Sequence, residues 1–160
     1  MNISELLNKE LENVFDQEDW YPPLKDALEG LTVDEANWKP EGIAANSIWE
    51  TASHLHYYKE RLLNRLEGKT TTTNVQNNDE TFVSGNDEKS WKEFHSKMEQ
   101  VHRQLQKVVG ELTENDLSHE RNGTATAKMI SSIILHDAYH TGQIIQIRKL
   151  QGSWVASRSF

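Results

Sequence analysis

The chain has 160 residues, 25 acidic against 17 basic side chains for a formal net charge of −8, and no cysteine. That length fits a single domain spanning residues 1–160 with a real core, and the negative balance, without any basic patch interleaved with aromatics, excludes nucleic acid as a partner. Without cysteine there are no disulfides and no thiolate sites, so a bound metal must be held by nitrogen and oxygen donors.

The first thirty residues carry acids and lysines throughout, and nothing later approaches about 18 apolar residues in a row. A soluble, cytoplasmic protein with no membrane partner is expected. Glycine, proline and polar clusters divide the chain into four long helical stretches, and no segment sustains a period-two alternation. The first stretch runs from about Ser4 to Leu31 and must bend or break at Pro22-Pro23. A turn-rich segment follows through Lys39-Pro40-Glu41-Gly42. Asn46 or Ser47 then serves as N-cap with Glu50 placed for a capping box, which opens a second helix to about Leu66.

From Gly68 to Asp87 the sequence turns polar, with Thr70 to Thr73 and Asn77-Asn78-Asp79, and only Val75, Phe82 and Val83 can anchor it; it reads as a long crossover loop. In the third helix Trp91, Phe94, Met98, Val101, Leu105, Val108 and Leu112 alternate three and four apart, a bundle-facing seam. Asn122-Gly123 marks a turn, Thr124 is a candidate cap, and the fourth helix continues to about Leu150 before Gly152 stops it. The fold expected is an all-α four-helix bundle with its long crossover between helices two and three, a frame whose interior often carries metal sites built from facing helices.

The chemistry concentrates in that last helix. His136 and His140 lie one turn apart, about 40° around and 6 Å along the axis, so one ion can reach both imidazoles. Met129, Ile133, Ile144 and Ile147 share their side, which directs the pair inward. Among the other histidines, His119 falls in the polar connection before helix four, and His95 and His102 flank the helix-three seam; all three read as solvated. His54 and His56 in helix two point to nearly opposite sides, so at most one joins the pair, and the helical wheel alone leaves the choice open.

The stretch Asn46-Ser47-Ile48-Trp49-Glu50-Thr51-Ala52-Ser53-His54-Leu55, followed by His136-x-x-x-His140-x-Gly142-Gln143-Ile144 with Arg148-Lys149 and Gly152 beyond, resembles the DinB/YfiT-like superfamily of bacterial metal-binding bundles. Trp20, the Gly30-Leu31-Thr32 turn and Trp38-x-Pro40 fit the same pattern, so the resemblance spans most of the chain. It implies a metal held by one histidine of helix two and two of the last helix, which transfers to His54, His136 and His140, with His56 matching no ligand position. It also implies a homodimer, and activities that include thiol-dependent transferases and isomerases, using thiols such as bacillithiol or mycothiol, beside metal-dependent hydrolases.

Three neutral imidazoles would leave a zinc, nickel or iron ion its full charge and an open position, and such an ion lowers the pKa of a water it binds to about 7 or takes a thiol as thiolate. The expectation is therefore an enzyme that activates a small thiol, or water, against a small electrophilic substrate. The alternative is a non-catalytic metal-binding bundle that serves as a stress-response or protein-interaction module. A zinc peptidase is disfavoured, because Asp137 stands where its motif carries glutamate. Asp137 and Glu50 are candidates to orient an imidazole, although a surface carboxylate is the commoner role. Gln143 is placed to meet ligand or cap a buried polar group, and Tyr58 to line the cavity or the core.

Overall fold

The structure, a computed structural model, describes residues 1–42, 44–70 and 75–155. Four long helices make the bundle: α1 Ile3–Phe15, α4 Ile48–Leu66, α5 Glu88–Gly110 and α7 Thr126–Gln151. Between them lie short helices α2 Leu24–Leu28, α3 Val33–Asn37 and α6 Glu114–Ser118, and a two-stranded hairpin, β1 Glu120–Arg121 with β2 Thr124–Ala125. α4 packs between α5 and α7, and α1 packs against the same two helices, so α1 and α4 sit diagonally across the bundle. No helix among the described residues is long and apolar enough to cross a membrane.

Local chemistry explains the boundaries. The first stretch breaks at the proline pair as expected: α1 ends at Phe15, and Pro23, with no amide proton to offer, sits at the N-cap of α2. Ser47 caps α4, its hydroxyl accepting from the Glu50 amide while the Glu50 carboxylate reaches back to the Ser47 amide. Three expectations are corrected. Thr124 is a strand residue and caps nothing: Asn122 and Gly123, at φ 54° and 74°, fold the chain into a tight hairpin, and α7 starts from Ala125 without a side-chain cap. The buried stripe of α5 runs through Trp91, Met98, His102, Leu105 and Val109, while Phe94, Val101 and Val108 are only partly buried. Within the crossover, residues 78–81 form a 3-10 turn; Thr71 to Thr73 of the polar run lie outside the described residues.

That turn is pinned by the core. Gly85 lies so close to Trp49 that a Cβ there would come within 2.7 Å of the indole, and its carbonyl accepts from the Asn37 side chain at 2.9 Å. At the far end, the buried Arg148 guanidinium donates to the carbonyls of Ala27 and Glu29 at 3.0 and 2.9 Å, satisfying the acceptors that α2 leaves open.

The core divides along the bundle. One apolar cluster gathers Phe15, Leu24, Ile48, Leu55, Trp91 and Met98 with Ile144 and Ile147, and the other gathers Leu11, Leu62, Leu105, Leu117, Ile130 and Ile134. Between those positions in register, on α4, α5 and α7, fall Lys59, His102, Asp137 and His140, all buried. A polar layer therefore crosses the middle of an otherwise apolar interior, and such a layer requires internal partners.

Candidate metal centre

The structure brings His54 together with His136 and His140. Each offers a ring nitrogen, all within 4.8 Å of one another, and the ring centroids form a nearly regular triangle of 4.9, 4.8 and 4.6 Å. The choice the helical wheel left open falls to tertiary packing. His54 is 3% exposed and faces α7, whereas His56 is half-buried on the other side of α4, edge-on to Phe94 of α5 and away from the cluster.

Hydrogen bonds fix which nitrogens face the centre. The Thr81 hydroxyl donates to the Asn78 carbonyl at 2.6 Å, so it accepts from Nδ1–H of His54, also at 2.6 Å, and the lone pair of His54 falls on Nε2. Gln143 Oε1 accepts from Nδ1–H of His140 at 2.6 Å, and the Gln143 amide in turn donates to the Tyr139 hydroxyl at 3.0 Å. His140 therefore also presents Nε2. Nε2 of His54 and Nε2 of His136 stand 2.9 Å apart, a separation that a proton on His136 Nε2 bridges as a hydrogen bond or that a shared cation would replace.

Electrostatics agree with a cation site. Burial, then the neighbouring imidazoles, pull His54 down to about 4, and burial with His140 and Lys59 does the same to His136. His140 is also lowered by burial, against the opposing pull of Gln143 and Asp137. At neutral pH the three rings are uncharged donors, the form that binds a divalent metal. The donor set, its spacing and its oriented tautomers fit such an ion.

Phe82, from the crossover, stacks on His54 with centroids 4.0 Å apart at 12°, and Tyr58 stands edge-on to both His54 and His136 while its hydroxyl donates to Asn78. A cavity of about 420 Å³ opens directly beside His136, bordered by Tyr58, Leu62, Met129 and Ile133. Glu50 takes no part in orienting an imidazole; it caps α4 and pairs with Lys39 at 2.7 Å.

Beneath the cluster two expectations are overturned. Asp137 is no surface carboxylate: it is fully buried, with Oδ2 2.5 Å from the Lys59 ammonium, itself 1% exposed. Burial pushes the Asp137 carboxyl up against the opposing pull of Lys59. His102 is not solvated but completely buried, stacked on Phe15 at 3.9 Å with Nδ1 3.1 Å from Lys59 Nζ, and burial followed by that ammonium lowers it far below the usual histidine range. His95 is half-buried against Trp91, and His119 is exposed as expected. Sequence reasoning passed over Thr81 and Lys59. Thr81 carried no signal, but a lysine at 59 between Leu55 and Leu62 of an apolar stripe is one that could have been read.

The fold and the site together define a helical bundle whose interior presents converging imidazoles from two helices. A sequence model of the DinB superfamily matches residues 23–144, and the chain belongs to that superfamily. No curated protein and no solved structure matches it at a significant level.

Proposed function

We propose that the chain is a divalent-metal-dependent enzyme whose three-imidazole centre activates a low-molecular-weight thiol, or water, for transfer to or hydrolysis of a small electrophilic substrate. The observation that carries this reading is the triangle of His54, His136 and His140, one corner of which, His136, lines the adjoining cavity. An ion held by those three neutral donors supplies uncompensated positive charge, which brings the pKa of a thiol or water near neutrality. The chain's own residues orient and shield. Thr81 and Gln143 hold protons at Nδ1 of His54 and His140, keeping each Nε2 aimed inward, and Phe82 covers the His54 face against water. Tyr58 lines the route between cavity and cluster.

A chain without cysteine has no sulfur nucleophile of its own, which permits a borrowed thiol such as bacillithiol, the cofactor that the sequence resemblance implies. Zinc, nickel and iron all suit imidazole donors. Elemental analysis of the purified chain is expected to give one divalent ion per chain, lost in His140→Ala. A screen of small thiols against electrophiles on the metal-loaded protein separates transfer from hydrolysis. An H140A variant that keeps both stoichiometric metal and activity ends this reading. The exposed Leu135 and Tyr139 on α7 support the homodimer that family membership suggests, and light scattering at the mass of one 18.5 kDa chain removes it.

A further inference from the structure

The cavity beside His136 carries a charge pattern opposite to that of the chain. The protein has a net charge of −8, yet among the described residues no carboxylate lines this space, and Arg61 and Arg65 border it one turn apart on α4. Neither arginine forms an ion pair among the described residues: Arg61 is exposed, and the half-buried Arg65 rests its guanidinium 3.4 Å from the sulfur of Met129. A third cation reaches the cavity wall, where Lys128 donates to the hydroxyl of Ser132 at 2.9 Å. Lys97 and Lys107 are also unpaired, but the cavity they border is shared with Glu60 and Glu67, whereas Arg61 and Arg65 border theirs without an acidic neighbour among the described residues. Arginines without carboxylate partners around a concave apolar floor are the arrangement that receives an oxyanion on a hydrophobic stem.

We infer that the cavity binds a small organic anion, with its carboxylate or phosphate held by Arg61 and Arg65 and its apolar stem over Leu62, Met129 and Ile133, so that its far end meets the imidazole cluster at His136. The inference rests on the enzymatic reading, for which it supplies the substrate class: an electrophile, or the thiol that attacks it, bearing an anionic group a short hydrocarbon length from the reacting atom. The positive field also draws such a ligand toward a protein that otherwise repels anions.

The test titrates hexanoate, hexyl phosphate and uncharged hexan-1-ol into the full chain, metal-loaded and chelator-treated, by calorimetry and amide-shift mapping. Hexanoate or hexyl phosphate is expected to bind at least about tenfold more tightly than hexan-1-ol, and more weakly as salt rises. Whichever anion binds more tightly identifies the headgroup. Arg61→Gln and Arg65→Gln are each expected to lower anion affinity about tenfold or more without changing metal stoichiometry. Arg61 is exposed, so R61Q and the charge-reversed R61E report on binding without disturbing the core. Unchanged affinity in both arginine variants, or hexan-1-ol binding as tightly as the anions, overturns the inference. Arginine-dependent anion binding by a chain that takes up no metal leaves this site standing and removes the metal reading. One metal per chain with no anion binding does the reverse.

Discussion

Lys59 and Asp137 face each other at 2.5 Å with 1% and 0% of their side chains exposed, and that isolation makes the energetic weight of the pair measurable. At an effective dielectric of about 20 their attraction is roughly 6 to 7 kcal/mol, but taking each ion out of water costs several kcal/mol, so the intact pair is close to break-even. Removing one partner is different, because the survivor keeps its burial and loses its compensation. Lys59→Met is expected to cost about 3 to 5 kcal/mol in urea unfolding of chelator-treated protein at pH 7. Asp137→Leu, which strands the ammonium against His102, should fall in the same range. The double variant K59M/D137L replaces two desolvated charges with apolar volume and should return to within about 1 kcal/mol of the parent or exceed it. In K59M the buried carboxyl binds a proton more readily folded than unfolded, so its deficit against the parent should shrink as pH falls. A K59M cost under about 1 kcal/mol, or strictly additive single costs in the double variant, would refute the reasoning.

The buried His102 imidazole refuses a proton that the unfolded chain accepts below about pH 6.5, so stability present above that pH is lost on acidification at about 1.4 kcal/mol per pH unit per such histidine. Without metal, His54 and His136 add to this slope down to about pH 4. Urea midpoints between pH 7.5 and 5.5 measure it, His102→Phe should remove one proton's share, and a flat profile contradicts the assignment. Adding zinc or nickel at about 100 times the dissociation constant to chelated protein should stabilise it by about 2.7 kcal/mol and raise the Tm by roughly 5 to 10 °C, a shift absent in H140A. Thr81→Val and Gln143→Leu, which free the Nδ1 protons of His54 and His140, should each weaken metal affinity about 10- to 100-fold in competition with a chromogenic chelator, and unchanged affinity would show that neither contact orients its ring.

What could be read before folding was whatever repeats along one helix. The proline break, the Ser47–Glu50 cap, the Gly152 stop and the spacing of His136 from His140 are all local, and each is found in place. Elements of five residues or fewer, such as α3, α6 and the hairpin, gave too few turns for a period to emerge. The larger misreadings concern charge. Asp137 and His102 looked like surface groups because one helix at a time shows only that a residue is polar; their burial depends on Lys59 arriving from a third helix. His54 was separated from His56 for the same reason, by what α5 and α7 place on either side of α4.

The missing side chain at position 85 governs a hydroxyl four residues upstream. With Trp49 only 3% exposed and packed in the core, a larger residue there is expected to push the crossover outward, carrying Thr81 away from the imidazole it steers. Room for a single hydrogen atom, on a segment that supplies no ligating nitrogen, thus bears on the aim of one of the three that converge.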